Sequence, residues 1–231
     1  MNKKNLKSII VFVCFLVLMV VATILLWPII ESLFSEEGRI SFKEKIDSFG
    51  VGGWFVMLGV QILQIIVAFL PGEPIEIAMG MFYGSFGGLF TCLLGIFIGS
   101  IIVYLLAKII GLPFVRLFVK EEDFEKFKFL KDPLKVEMTV FILFFIPGTP
   151  KDALTYLSPF IPMKKRRFFL ISTIARIPSV VTSTILGDQL IEGNYLTAIV
   201  VFIITAIISV AGIIFNNYYT KRKQEKMKSE Q

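Results

Sequence analysis

The sequence contains no histidine and only two cysteines, and charged residues occupy only 18% of its 231 positions. The absence of histidine excludes Ser/His and Cys/His catalytic pairs and disfavours a catalytic zinc site. Cys14 and Cys92 stand alone in separate apolar segments without metal-ligand spacing, and we interpret them as packing residues. We therefore do not expect an enzyme, and we predict no cofactor and no metal.

Apolar residues, in contrast, make up 55% of the chain and give it a mean hydropathy of +0.78. This is too apolar for an ordinary soluble domain. Four segments approach or exceed the roughly 20 residues that cross a bilayer as a helix. We therefore predict an all-α integral membrane protein with about four transmembrane helices, the first a retained anchor because no small-residue cleavage site follows it. The segments are 9–30, 85–107, 168–186 and 195–219.

The net charge of +6 comes from lysine and arginine residues that flank the apolar segments, which favours membrane orientation over nucleic-acid binding. Positive charges accumulate in short loops on the cytoplasmic side. This rule places 31–50 and 187–194 outside and both termini in the cytoplasm. The basic segments that decide it are the amino-terminal tail with three cations, 112–136 with six, 164–167 with four, and the tail from Lys221 with five.

Two similar hexapeptides interrupt the apolar segments: FLPGEP at 69–74 and, 76 residues later, FIPGTP at 145–150. Proline and glycine leave backbone groups that lipid cannot satisfy, so such turns are tolerated in a membrane only when buried in protein or lining a wet cavity. We therefore expect the two turns to meet near mid-membrane. Their turn residues are Pro71, Gly72 and Pro74 in the first copy, and Pro147, Gly148 and Pro150 in the second.

The predicted orientation requires that each hexapeptide lies in a segment that leaves the membrane on the side where it entered. Residue 50 is outside and residue 112 inside, with one clear crossing between them, so 51–84 must return to the outside. By the same reasoning 137–163 must return to the inside. The pattern therefore predicts two re-entrant helical hairpins in an inverted repeat. The alternative is six full spans, with both termini still inside and the basic loops redrawn.

Each hexapeptide also resembles the start of a helix. We predict Glu73 or Thr149 as the cap, proline at the first helical position, and an acid, Glu76 or Asp152, at the third. A half-helix that begins in the membrane presents free amide groups and a positive dipole end, which favour an anion such as phosphate. In the alternative interpretation, Glu76 and Asp152 only close capping boxes on their own backbones.

Charged residues at membrane depth suggest a binding site, since an acid there costs roughly 2.5 to 3.5 kcal/mol even on permissive scales. Glu73 needs a partner or a proton, and the candidate cations are Lys151 in the other turn and Arg176 within the crossing at 168–186. We predict that Glu73 and Glu76 bind protons while Lys151 and Arg176 meet an anionic substrate group. The alternative is a buried set of ion pairs that only fixes packing.

Other features indicate packing and organisation. Pro178 predicts a kink in its crossing, and 114–130 has the pattern of an interfacial helix. We expect an anchor and external loop at 1–50, a membrane core at 51–190, and a last span with a basic tail at 191–231. Four-residue spacings predict close helix contacts at Gly80, Gly84, Gly88, Gly95 and Gly99.

The stretches FLPGEPIEIAMGMFYGSFGG and FIPGTPKDALTYLSPF, followed by ARIPS and ILGD, resemble the DedA and SNARE-associated Golgi protein superfamily of VTT-domain proteins. The resemblance covers roughly 50–190 and is closer to the Golgi-vesicle-protein branch than to DedA proper. It implies a bacterial plasma-membrane protein with two facing re-entrant loops, which moves phospholipid or polyprenyl-phosphate carriers between leaflets. Proton coupling is proposed for some members, and Glu73 matches the family's loop acid.

The chain departs from that family pattern at two positions. Many relatives carry an arginine where this chain has Phe144, and a glycine where it has Pro159. Our hypothesis is that Arg176 and Lys151 replace the missing cation.

The expected function is a transporter or scramblase of anionic lipids, with membrane lipids, polyprenyl phosphate and protons as partners and no nucleic acid. A proton-coupled exporter of small solutes or ions, and a non-transporting envelope scaffold, are the alternatives. The sequence leaves the oligomeric state open.

Overall fold

The structure is a computed structural model that describes residues 35–68, 70–115, 132–146 and 149–204, with isolated positions between 17 and 31 and at 206, 207 and 210. The described part is helical and contains no strand. Pro147, Gly148, most of the predicted anchor at 9–30 and most of the predicted interfacial helix lie outside it. The helices are α1 (Glu36–Ser48), α2 (Val51–Val67), α3 (Glu73–Ile110), α4 (Leu112–Val115), α5 (Pro133–Phe145), α6 (Lys151–Thr155), α7 (Lys165–Ile191) and α8 (Tyr195–Ile204), with a 3₁₀ turn at Ser158–Phe160.

Within the described residues, two helices are long and apolar enough to cross a membrane, α3 and α7. The helices α1 and α2 meet at an angle of 120°. Together they make a third candidate span if this bent pair is counted as one span. The bend lies at Gly50, whose φ of 53° is a conformation that glycine adopts without strain. The described part is therefore all-helical, as expected of a membrane protein, and holds two helices of spanning length; the predicted spans 9–30 and 195–219 lie largely or partly outside it.

The long helix α3 is broken at Gly84, where φ is 69° and the backbone leaves the helical region. A Cβ atom at Gly88 would lie 2.7 Å from the carbonyl oxygen of Met79. Positions nine residues apart in a straight helix are separated by about 13 Å, so the chain reverses at Gly84. We call 73–83 the short limb and 85–110 the long limb; the long limb starts at the residue where the sequence predicts a crossing to begin.

Helix α2 runs in the same direction as the long limb of α3. The Trp54 indole donates a hydrogen bond of 2.8 Å to the Thr91 hydroxyl, and a Cβ atom at Gly95 would lie 2.5 Å from the Cγ atom of Gln61. The contact at Gly95 requires a residue without a side chain at the helix surface, as the glycine spacing predicts. The first hairpin, 51–84, therefore begins and ends at the same end of the helix bundle.

Helix α7 packs closely against the short limb of α3. A Cβ atom at Gly80 would lie 2.1 Å from the Thr184 carbonyl oxygen, and one at Gly187 would lie 1.9 Å from the carbonyl oxygen of Ile77. At the same end the Asp188 carboxylate accepts hydrogen bonds from the backbone amide and the hydroxyl of Ser85, which caps the long limb.

The second hairpin, 133–164, approaches α7 from its other end. Glu137 near the start of α5 forms an ion pair of 2.6 Å with Arg167, and Phe144 near its end packs edge-on against Phe168 with ring centroids 5.7 Å apart. Pro133 and Met163, from the two ends of this hairpin, line the same cavity. The two hairpins therefore reach the middle of α7 from opposite ends of the bundle, and α7 continues as a helix through Pro178.

Candidate functional site

The first turn connects α2 to α3 at 68–72. Ala68 takes a left-handed conformation with φ of 58°, and its amide donates to the Gln64 carbonyl to end α2. Helix α3 then begins at Glu73, because the Gly72 carbonyl accepts a hydrogen bond from the Glu76 amide and Gly72 already has helical φ and ψ. The prediction that Glu73 is the cap and Pro74 the first helical residue is therefore wrong by one position.

The second turn connects α5 to α6, and its threonine does not cap the helix that follows. The Thr149 hydroxyl donates to the carbonyls of Leu143, at 2.6 Å, and Ile146, at 2.9 Å, so it satisfies the end of α5. The cap position of α6 is Pro150, whose side chain has no atom that can accept a hydrogen bond. The helix itself has only five residues. The predicted cap at Thr149 is wrong, since its hydroxyl bonds to the preceding helix.

Asp152 joins three elements. Its Oδ1 atom accepts from Arg176 Nη1 of α7 at 2.6 Å, and its Oδ2 atom accepts from Gln64 Nε2 of α2 at 2.8 Å. Both carboxylate oxygens therefore bind side chains that are distant in sequence. A capping box on its own backbone, the alternative that the sequence leaves open for Asp152, does not describe this geometry.

Arg176 is buried, with its side chain 5% exposed, and its charge is matched by Asp152. A second guanidinium nitrogen donates to the Thr155 hydroxyl at 3.2 Å, and the guanidinium carbon lies 5.2 Å from the centre of the Phe144 ring. Phe144, the position at which the family resemblance leads us to expect an arginine, thus packs against Arg176 of α7. This contact supports the hypothesis that Arg176 supplies a cation in that region.

Lys151 begins α6, and its ammonium donates to the Ser179 hydroxyl of α7 at 2.9 Å. The Ser179 hydroxyl donates in turn to the Arg176 carbonyl at 3.0 Å. Among the described residues Lys151 forms no ion pair within 4 Å, in contrast to Arg176. Of the two predicted cations, Lys151 is therefore the one without a direct ion-pair partner among the described residues, although Glu73 and Glu76 line the same cavity.

The two turns and the middle of α7 enclose a cavity of about 200 Å³, which we call the central cavity. Pro71, Gly72 and Pro150 also contribute to its walls, whereas Pro74 does not. Glu73 is exposed at its edge, and the Ser183 side chain lies beside Glu76. The structure thus brings all five predicted charged residues to one cavity: Glu73, Glu76, Lys151, Asp152 and Arg176.

Four further residues hold this arrangement together and were missed from the sequence. Gln64 binds both Asp152 and, at 3.0 Å, the carbonyl of Leu70, so it links the two turns. The Tyr156 hydroxyl donates to the Ile66 carbonyl and makes a second link. A polar side chain within the apolar α2 was the available signal for Gln64, while Thr155, Ser179 and Tyr156 gave none.

The fold and cavity define a class: a helical membrane protein with charged groups from two helix turns collected beside the middle of a spanning helix. The profile of the VTT domain family matches residues 70–189, just over half of the chain. The chain therefore belongs to the VTT domain family, whose members are generally membrane-associated and linked to transport. No curated protein and no solved structure matches the chain significantly.

Proposed function

We propose that the chain is a transporter or scramblase that moves the phosphate headgroup of an anionic lipid between leaflets through the central cavity. Phospholipids and polyprenyl phosphates share this chemistry, and both are candidate substrates. Within the superfamily we place it nearer the Golgi-vesicle-protein branch, and we propose that it acts in a bacterial plasma membrane, with cytoplasmic termini and no enzymatic step.

The position of the central cavity is the observation that carries the proposal. Arg176 lies 11 residues after the start of α7 and 15 before its end. At 1.5 Å per residue these distances are about 16 Å and 22 Å, which supports a position of the cavity near mid-membrane. Polar walls at that depth favour a passage for a polar group. We accordingly propose that both hairpins are re-entrant.

Lys151, rather than Arg176, is the cation proposed to contact the phosphate. The Arg176 charge is matched by Asp152, and separating a buried ion pair is costly. Lys151 instead donates to a neutral hydroxyl, which a phosphate oxygen can replace as a stronger, charge-assisted acceptor. Arg176 then acts as a positioning residue that holds α6 and its lysine against α7.

The size of the cavity fits a headgroup rather than a whole lipid. Its volume of about 200 Å³ is below the range of about 300–1,000 Å³ that is usual for small-molecule pockets. The exposed Glu73 and Pro71 leave it open on one side. We propose that the headgroup occupies the cavity while the acyl chains stay in the surrounding lipid.

Proton binding is the second part of the proposal. The central cavity has three carboxylates and two cations on its walls, so its net charge is −1 when all five groups are ionised. An anion is therefore repelled unless a carboxylate takes up a proton. Asp152 is paired on both oxygens, so we assign proton uptake to Glu73 and Glu76 and expect transport to accelerate as pH falls.

The excess of carboxylates also favours a second candidate, a proton-coupled exporter of small cations. In this case Glu73 and Glu76 bind the cation and the proton in alternation, and Lys151 has no contact with the substrate. The two functions differ in the ligand that passes through the cavity, so flux measurements separate them.

The test is reconstitution of the full chain in liposomes that contain a fluorescent lipid phosphate. We expect faster leaflet exchange than in empty vesicles, slowed about tenfold or more by Lys151→Met, which removes a charge-assisted contact. Lys135→Met is the matched control, because Lys135 is exposed on α5 outside the central cavity.

Two results would contradict the lipid assignment. Exchange no faster than in empty vesicles, combined with cation flux that collapses a pH gradient, would favour the exporter. A full cellular phenotype with both Glu73→Gln and Arg176→Ala would favour the non-transporting scaffold.

A further inference from the structure

A second cavity lies at the end of the bundle where the second hairpin begins and ends. Its volume is about 510 Å³, larger than that of the central cavity, and the two share no lining residue. We call it the end cavity. It lies between the start of α5 and the segment that leads into α7, and it is lined by Pro133, Glu137, Pro162, Met163, Lys164 and Arg167.

The charged groups of the end cavity are arranged to receive an anion. Glu137 is largely buried, with its side chain 17% exposed, and holds the guanidinium of Arg167 at 2.6 Å. The Arg167 side chain is 58% exposed, so its remaining N–H groups stay available to a ligand. Lys164 supplies a second cation, and the neighbouring Lys165 and Arg166 are exposed. The wall of the cavity therefore carries one acid and two cations, and two more cations are exposed beside it.

The remaining wall of the end cavity is apolar, formed by two prolines and a methionine. This combination of a cationic rim and an apolar wall fits a molecule that carries both an anion and hydrocarbon. The cavity also lies at the start of α7, which is one of two helices in the described part of the chain that are long and apolar enough to span a membrane. Lipid headgroups lie at that level of a spanning helix.

We propose that the end cavity binds the headgroup of an anionic phospholipid from the adjacent leaflet. Arg167 and Lys164 contact the phosphate, Glu137 orients the arginine, and Met163 with the two prolines packs against the glycerol and the first acyl carbons. This site depends on the protein lying in a membrane and not on transport through the central cavity. A lipid held here is also within reach of the second hairpin.

The experiment measures thermal unfolding of the purified full chain in a neutral detergent. Short-chain phosphatidylglycerol is titrated, with phosphatidylcholine as the neutral lipid and glycerol 3-phosphate as the soluble anion. We expect phosphatidylglycerol to raise the melting temperature and the other two to have little effect. The Lys164→Gln/Arg167→Gln variant should bind about tenfold or more weakly, and each variant is compared with its own lipid-free value, so a change in basal stability does not affect the comparison.

Two single variants separate the site from general surface charge. Lys135→Gln removes an exposed lysine at the same end of the molecule but outside the cavity and should leave the titration unchanged. Glu137→Gln frees the Arg167 guanidinium and should preserve or strengthen binding. Glu192→Gln, an equal charge change at the other end of α7, is its matched control.

Three results would overturn the proposal. An unchanged titration with the double variant would mean that Lys164 and Arg167 do not contact the lipid. An equal loss with Lys135→Gln would reduce the effect to surface electrostatics. Equal stabilisation by glycerol 3-phosphate would mean that the cavity selects a soluble phosphate rather than a lipid.

Discussion

At the scale of single residues, Asp152 and its partners set the geometry of the central cavity. The aspartate accepts hydrogen bonds from a guanidinium of α7 and an amide of α2, so one half-buried carboxylate fixes the distance between three elements. Such a pair contributes little net stability when complete, but removing one partner leaves an uncompensated buried charge. Substitutions that remove one partner of the pair should therefore destabilise the protein, whereas substitutions that leave the pair intact should be tolerated.

Arg176→Ala should be strongly destabilising. It leaves the Asp152 carboxylate without its cation, and breaking a buried pair in this way costs about 3–5 kcal/mol. Arg166→Ala is the control, since Arg166 is an exposed arginine of the same helix and should change stability by no more than about 0.5 kcal/mol. Unfolding in mild detergent measures both, and equal effects would contradict the buried role of Arg176.

Gln64→Leu tests the link between the two turns. The substitution leaves the Leu70 carbonyl and one Asp152 oxygen without their donor, which should cost about 1–3 kcal/mol. Gln61→Leu is a matched control in the same helix, because the Gln61 side-chain oxygen is buried without a partner in the described part of the chain. We expect this control to be neutral or stabilising in the same unfolding measurement.

A loss of stability at Gln61 as large as that at Gln64 would contradict this assignment. It would mean that burial of an amide in α2, and not the contact with Asp152, determines the effect. A second readout is the rate of lipid exchange, which Gln64→Leu should lower by loosening the link between the two turns, whereas Gln61→Leu should not.

The sequence predicted which charged residues meet but not how they pair. Depth in an apolar segment singles out Glu73 and Arg176, and the repeated hexapeptide adds Lys151 and Asp152. The pairing of Arg176 with Asp152 and the contact of Gln64 with Asp152, 88 residues away, depend on how the hairpins approach each other. Distances between elements are not encoded in the spacing of residues along one element, so these partners required the structure.

At the scale of secondary-structure elements, glycine allows α7 to contact the short limb of α3. The backbones approach so closely that a side chain at Gly80 or Gly187 would overlap a carbonyl of the other helix. Spaced glycines in the sequence indicate this type of contact but not the partner helix. The helix caps were less predictable. The start of α3 depends on the backbone conformation of Gly72, and the Thr149 hydroxyl before α6 bonds to the end of the preceding helix.

Gly187→Ala should separate these two helices. Its Cβ atom would lie 1.9 Å from the Ile77 carbonyl oxygen, which cannot move as a flexible side chain can, so we expect a loss of about 1–3 kcal/mol. Gly59→Ala is the control, since Gly59 is helical but has no atom within 4 Å of the added Cβ. Alanine favours helix over glycine, so this variant should be neutral or more stable by up to about 1 kcal/mol.

Thermal unfolding in detergent compares the two glycine variants. Destabilisation at Gly59 similar to that at Gly187 would show that backbone conformation, and not the distance between helices, determines the cost. Gly187→Ser gives a further comparison, because a serine Cβ atom meets the same carbonyl and should be equally unfavourable.

At the scale of the whole molecule, two hairpins approach one spanning helix from its opposite ends and meet at its middle. The sequence predicts this inverted arrangement from loop charges and from the repeat of the proline turns, and the structure places the ends of each hairpin at one end of the bundle. Whether each turn lies inside the bilayer depends on where the membrane surrounds the bundle. Labelling in a membrane measures this depth directly.

Cysteine labelling in intact cells tests the depth of the first turn. Cys14 and Cys92 are replaced by alanine, and single cysteines are introduced at Glu73, at Lys135 and at Asn194. Lys135 and Asn194 are exposed at opposite ends of α7, so a membrane-impermeant thiol reagent should reach Asn194→Cys from outside and Lys135→Cys only after permeabilisation. Glu73→Cys should react slowly from both sides, because the central cavity lies about 16 Å or more from either end of α7.

If the first turn instead belonged to two full spans, it would emerge on the cytoplasmic side and Glu73→Cys would react as fast as Lys135→Cys. That result would contradict the re-entrant arrangement and place the central cavity outside the hydrocarbon layer.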